Sequence, residues 1–354
     1  MKKSLLPSLL AGILGLVLCA VPALAETQLE HWPADARAKL ETMIARNANT
    51  GAYATFDMDQ TTYRYDLLDP FLAYMEQKGL LTRETMDPSL KLIPFKDIGG
   101  QKESMNSYYW RLCDIDDLIC YPWVSQVFAG FSLRELKGHL DDMLALKDPI
   151  SVKYVSGDDV KEKKLPIPKM FRGMQELYNK LQENGIEVYI MTAASEEIIR
   201  MIASDPKYGY NIKPENVIGV TTLLKDPKTG ELTTSRMQIR KGTYDQQKNL
   251  DLVMTPFLTN PMTWFEGKLG STLAYIDQWR KPIIAGGDSI GSDTFMLENV
   301  DVASGGLKIW VNRKDPHVQW TLDHARESAA SQKRLGLPVT ADKNWIVVKS
   351  EEIQ

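Results

Sequence analysis

Two aspartates separated by one residue, Asp57 and Asp59, follow the apolar run "YATF" (53–56). Adjacent carboxylates repel, and both are costly to desolvate unless something positive lies between them. Other short apolar runs of the chain end on residues that could answer this. Thr192 ends "IEVYIMT", Asp288 and Ser289 end "PIIAGGDS", and Lys268 in "EGKLGS" opens a helical stretch leading to that last run. Asp57, Asp59 and Asp288 are hard oxygen ligands suited to Mg2+, an ion that lets neighbouring carboxylates stay ionised together. Lys268 adds a second positive charge, and the Thr192 hydroxyl can donate to an anionic oxygen. A metal, a lysine and a hydroxyl together suit a phosphoryl group. One carboxylate can then attack phosphorus, while a second protonates the leaving oxygen and afterwards activates water. Bland readings stand beside these: Thr192 and Asp293 as helix N-caps, and Lys268 as a solvent lysine.

These residues act together only if a sheet gathers the strand ends. "YATF", "IEVYIMTAAS", "NVIGV", "PIIAGGDS" and "GLKIWVNRK" read as short, almost wholly apolar strands. Helices at residues 31–48, "KMFRGMQELYNKLQENG", "SEEIIRMIASD" and "GKLGSTLAYIDQW" alternate with them, and "TTLLKDPKTGELTTSRM" reads as a hairpin. Such alternation signals a parallel sheet covered on both faces, whose ligands bind beyond the carboxyl ends of the strands. Residues 62–165 interrupt it with a mainly helical, aromatic-rich block that closes on a hairpin. The expected fold is therefore α/β, a doubly wound parallel-sheet core (26–61 and 166–354) with a helical cap (62–165) inserted after the first strand.

The chain of 354 residues carries a formal charge of −4. Its first 25 residues combine a basic start, an apolar stretch and "ALA" before Glu26, the pattern of a cleavable secretory signal. An uncleaved anchor is the alternative. A lipid-attachment site at Cys19 is set aside because Leu18 precedes it. Cleavage removes Lys2 and Lys3, taking −4 to −6. With no basic cluster, no nucleic-acid partner is expected, and no later apolar run is long enough to span a membrane. The expected location is the periplasm or the exterior. His31, His139, His317 and His324 are too scattered for a histidine metal site. Cys113 and Cys120 are the only cysteines left after cleavage, and an exported pair suggests a disulfide, against two buried thiols. Continuous helix would hold their Cα atoms roughly 10 Å apart, beyond a disulfide's reach of about 7 Å. The bond therefore requires a bend around Asp116-Asp117.

"DMDQT" (57–61), "YIMTAAS" (189–195), Lys268 and "GGDSIGSD" (286–293) resemble, in order and placement, the four motifs of the haloacid dehalogenase-type phosphatases. "FDMDQTTYRYDL", "CYPWVSQVF", "YIMTAASEE" and "PVTADKNW" are similar, more closely, to the periplasmic phosphorylcholine phosphatases of that superfamily. The resemblance implies Asp57 as nucleophile and Asp59 as general acid/base, with Thr192 and Lys268 on the phosphoryl oxygens. It implies Mg2+ on Asp57, Asp59 and Asp288, with Asp293 as ligand or orienting residue. Two positions depart from the pattern. Gly291 stands where the family carries an acid, and Asp69 where the choline-specific members carry glutamate.

Aromatic faces with nearby negative charge recognise quaternary ammonium groups. The insert offers Tyr63, Tyr65, Tyr108, Tyr109, Trp110 and Trp123, with acids at 66, 69, 114, 116 and 117. Tyr63, Tyr65, Asp69 and Trp110 are the expected substrate contacts, although aromatic residues at helical spacing usually build core. The expected activity is hydrolysis of phosphorylcholine through an aspartyl phosphate. A broader phosphatase acting on phosphoethanolamine or aryl phosphates is the neighbouring reading. A non-catalytic binder of choline-like cations is the distant one, since capture alone needs no nucleophile.

Overall fold

Strand β1 (Tyr53–Phe56) lies at the centre of an eight-stranded sheet. The others are β2 (Glu187–Ser195), β3 (Val217–Lys225), β4 (Leu232–Thr233), β5 (Val253–Thr259), β6 (Ile284–Gly287), β7 (Leu307–Asn312) and β8 (Trp345–Lys349). This computed structural model describes residues 26–259 and 262–354, so the secretory signal read at 1–25 lies outside the described residues. The order is β8-β7-β6-β1-β2-β3-β4, with β5 also paired to β3. All pairings from β8 through β3 are parallel, whereas β4 and β5 run antiparallel to β3.

Alternate strand residues feed two separate apolar clusters. Phe56, Ile190, Ile284 and Ile309 pack with Leu40 and Ile44 of helix Ala34–Asn47 and Leu177 and Leu181 of helix Arg172–Glu183. Met191, Ile218, Ala285 and Trp310 face the other way, against Met296 and Leu297 of helix Ile290–Glu298. Both faces are covered, which is why the strands read as unbroken apolar runs.

The chain turns to one side of β1 to form β2 and to the other to form β6. β1 therefore sits where the strand order reverses, the place at which a crevice opens beyond the strand ends. Register aims the chemistry at that crevice. Phe56 pairs with Ile190 on one side and Gly286 on the other, so Asp57 emerges between Thr192 and Asp288. Gly286 and Gly287 make this approach possible. A Cβ on Gly286 would meet Phe56 at 2.5 Å, and one on Gly287 would meet Asp293 at 2.6 Å.

Between β1 and β2 run helices Leu68–Gln77, Met105–Cys113, Asp117–Gln126 and Leu133–Leu144, then the hairpin Ile150–Ser156/Asp159–Leu165. Two-residue strands Tyr63–Arg64 and Lys169–Met170 pair antiparallel where this insert leaves and rejoins the core. The insert is not detached: Phe71, Trp123 and Phe128 belong to the same apolar cluster as Phe56. Backbone bonds also tie it to the approach to β5, from Leu133 N to Leu252 O and from Met254 N to Phe131 O (both 2.9 Å). The stretch "SMNSYYWRLCDIDDLICYPWVSQVFAG" breaks as the cysteines required. One helix ends at Cys113, Asp116 accepts from Leu118 N (2.7 Å) to start the next, and Cys113 and Cys120 are bonded with Cα atoms 4.9 Å apart.

Candidate active site

Lys268 lies in helix Glu266–Tyr275 and is fully buried. Its ammonium donates to Asp57 Oδ1 (2.7 Å) and Asp293 Oδ1 (2.6 Å). The desolvated cation is thus held by two carboxylates; burial works against its charge, but Asp293 and Asp57 keep it protonated well above the usual lysine range. The residue before that helix, Phe265, has φ +51°. A bulky side chain with positive φ is a strained arrangement of the kind found where a chain must aim a functional group.

Asp293 has no free oxygen. Its Oδ2 accepts from the backbone N–H of Asp288 and of Ser289, both at 2.9 Å. It locks the turn that carries Asp288, while Ser289 serves as N-cap of the helix. Thr192 is not a helix cap either, since the helix after β2 begins at Glu196. The Thr192 Oγ1 accepts from Ala194 N (3.1 Å), which leaves its proton for an incoming acceptor.

Asp57, Asp288 and Asp293 each bring one carboxylate oxygen within 4.8 Å of the others. This all-oxygen set fits Mg2+ in chemistry and charge. Asp293 is committed to Lys268 and to the two backbone N–H groups of the turn, so Asp57 and Asp288 would hold the ion with Asp293 behind them, Asp288 sharing its oxygens with Thr61 and Arg313. The Asp59 carboxylate, expected as a ligand, is not in this group. Its Oδ1 accepts from Tyr63 OH (2.6 Å) and Leu67 N (2.8 Å), which draws it toward the insert.

Burial lifts the Asp57 carboxyl to about 6 even with Lys268 pulling it down. Asp59 is pushed well above the usual carboxylate range by burial first, then by the charge of Asp66, with Tyr63 opposing. Asp288 is raised likewise, with the Arg313 guanidinium opposing. Two carboxylates in one crevice are therefore set apart. Asp57 lies against a cation and is the more easily ionised, whereas Asp59 is disposed to keep a proton.

A cavity of about 260 Å³ opens over these groups. Asp57, Asp59, Thr192 and Asp288 form its floor, and Asp66, Asp69, Tyr109, Trp110 and Tyr121 its outer wall. Asp69 accepts from Trp110 Nε1 (3.2 Å) and Asn106 Nδ2 (3.4 Å), and burial raises its carboxyl to about 7. Two expected substrate contacts are elsewhere. Tyr63 is fully buried beneath Asp59, where its hydroxyl orients that acid, and Tyr65 does not line the cavity. Tyr108 and Trp123 are core. Sequence reading missed Tyr121 and Arg313. Arg313 follows β7 directly, so the strand-end rule that selected Asp57 and Asp288 reaches it too.

A central strand ending in two aspartates, flanked by a threonine, a buried lysine and a further aspartate, gives the layout of a haloacid dehalogenase-type phosphatase. No protein-family model matches the chain. The chain is 56% identical to "Phosphorylcholine phosphatase" of Pseudomonas aeruginosa over 335 residues, 95% of this chain and 96% of that protein. It belongs to the phosphorylcholine phosphatase family. A solved protein from Anaerococcus prevotii, described as functionally unknown, aligns over 85% of this chain and 90% of its own at 20% identity, with a TM-score of 0.53. That likeness concerns the fold.

Proposed function

We propose that the protein is an exported, Mg2+-dependent phosphomonoesterase that hydrolyses phosphorylcholine to choline and phosphate. One observation carries this reading: the Asp57 carboxylate, 2.7 Å from Lys268, faces a single cavity whose far wall joins aromatic rings to two carboxylates. Phosphorylcholine has matching ends, a phosphoryl group and a quaternary ammonium. The relative from Pseudomonas aeruginosa bears that substrate in its name.

The steps follow from the side chains. With Oδ1 held by Lys268, the other Asp57 oxygen attacks phosphorus, and Asp59 gives its proton to the choline oxygen as the P–O bond breaks. Water then attacks the aspartyl phosphate while Asp59 takes its proton, which restores Asp57 and frees phosphate. A divalent ion held by Asp57 and Asp288 would supply positive charge to the phosphoryl oxygens. The Thr192 hydroxyl supplies a fixed donor for the charge that develops, while Lys268, beneath the floor, steadies the Asp57 carboxylate rather than reaching the phosphoryl oxygens directly. At the other end, Trp110 and Tyr109 present ring faces to the trimethylammonium group, and Asp66 and Asp69 balance its charge.

The test is direct. Protein incubated with phosphorylcholine, phosphoethanolamine or an aryl phosphate, with and without Mg2+, is assayed for released phosphate. Preference for phosphorylcholine and loss of activity with chelator are expected; equal use of all three substrates would leave only the broader phosphatase. Export is read from the N-terminal pattern and fits the Cys113–Cys120 bond. Cell fractionation with N-terminal sequencing of the mature protein should find Glu26 first.

A further inference from the structure

The walls of the cavity present a charge problem. Five carboxylates line it, from Asp57, Asp59, Asp66, Asp69 and Asp288. The substrate's phosphoryl end is itself anionic. Lys268 lies beneath the floor, pinned between two carboxylates, and does not line the cavity. Among the described residues, Arg313 is the one cationic side chain on the cavity wall.

Its geometry suits an anion. Arg313 Nε lies 2.6 Å from Asp288 Oδ2, so the guanidinium is anchored along one edge. No hydrogen bond joins its two terminal nitrogens to a described residue, although the Asp66 carboxylate is within electrostatic reach, and the side chain is 31% exposed. A planar guanidinium fixed through Nε still has its forked donors to offer, the geometry in which arginine grips phosphate oxygens. We propose that Arg313 is a catalytic residue that binds a phosphoryl oxygen of the substrate and of the product phosphate, with Asp288 holding the guanidinium in place. It then gives the cavity an anion-binding group, beside Asp66 and distinct from the ring of Trp110 and the Asp69 carboxylate. This rests on the phosphatase reading for its substrate but needs no metal.

Calorimetric titration of the mature protein with inorganic phosphate, choline and Mg2+ tests it, comparing the native chain with Arg313→Gln and Arg313→Lys. Phosphate is titrated both with and without Mg2+, so failure of the metal reading shows separately in the native chain. Arg313→Gln is expected to weaken phosphate at least about tenfold in both series, with choline unchanged within about twofold and Mg2+ binding no weaker. Arg313→Lys, which keeps the charge and loses the fork, should fall between. Phosphate affinity within about twofold of native in Arg313→Gln would overturn the proposal. So would a phosphate loss seen only with Mg2+ and matched by loss of Mg2+ binding, which would mean that Arg313 acts through Asp288. Should Arg313→Gln fail to fold by circular dichroism, Arg313→Lys decides, and native phosphate affinity there sinks the idea.

Discussion

The floor and the outer wall of the cavity are built on different principles. On the floor each charged group has short-range partners: Lys268 has two carboxylates, Asp293 has a lysine and two backbone N–H groups, and Asp288 has Thr61 and Arg313. Few rearrangements leave such a set satisfied, so it is rigid before substrate arrives. The wall is looser. Trp110 is 43% exposed, its ring stacks edge-on to Tyr109, and the ammonium of Lys163 lies 5.0 Å from its centre. Asp66 has one long contact to Gln60 (3.4 Å) and the more distant charge of Arg313. On the proposed reading, chemistry is fixed by a network, whereas leaving-group choice is left to packed rings and sparsely paired acids.

If that division holds, floor substitutions should abolish turnover for every substrate, and wall substitutions should separate substrates. Asp57→Asn changes volume little and removes the nucleophile. Turnover of phosphorylcholine and of an aryl phosphate should both fall by roughly 10⁴-fold or more, with an unchanged circular dichroism spectrum. Measurable turnover at the native level would break the comparison at once. Lys268→Met leaves Asp57 and Asp293 buried and facing each other, so activity should vanish and urea unfolding should show a loss of roughly 3–5 kcal/mol.

The wall gives smaller, selective effects. Asp69→Asn should raise KM for phosphorylcholine about tenfold and leave KM for an aryl phosphate unchanged; equal changes would remove Asp69 from the headgroup site. The same carboxyl predicts a pH effect. Its raised value means that it is neutral below about 7 and charged above, so headgroup attraction is lost as pH falls through that value. The ratio of the two KM values, measured across pH, isolates this from titration of the phosphate. Last, replacing Cys113 and Cys120 together by serine should cost about 2 kcal/mol in chemical unfolding. Because the bond joins the helices that carry Trp110 and Tyr121, discrimination between substrates should drop a few-fold while kcat on the aryl phosphate stays.

The same division explains what the sequence made legible. Each floor residue sits at a strand end or a helix start, places fixed by local pattern, and β1, β2, β6 and β7 are recognisable as short apolar runs. β5 was not recognised, because Pro256 interrupts "DLVMTPFLT" and antiparallel pairing on β3 leaves Phe257 and Leu258 exposed. The helix Asp315–Arg334 and β8 also went unread. Among the insert's aromatics, spacing could not separate the lining residue Tyr109 from its buried neighbour Tyr108, since adjacent helix positions differ only in how the helix is rotated. Tyr63 was misplaced for a related reason. Nearness in sequence to Asp57 does not bring Tyr63 to the substrate cavity, because the chain turns it under Asp59 instead.

The paired strands Tyr63–Arg64 and Lys169–Met170 bring the two junctions of the insert side by side. The block from 65 to 168 therefore enters and leaves the scaffold at neighbouring points, and exchanging it as a cassette would require rebuilding the apolar cluster it shares with Phe56 and the Leu67 N–H that Asp59 accepts from. A transplanted block would keep the leaving-group preference it brings and inherit the hydrolytic engine beneath. It would also need its own anchor on residues 250–254, where the native block is sewn down through the backbone.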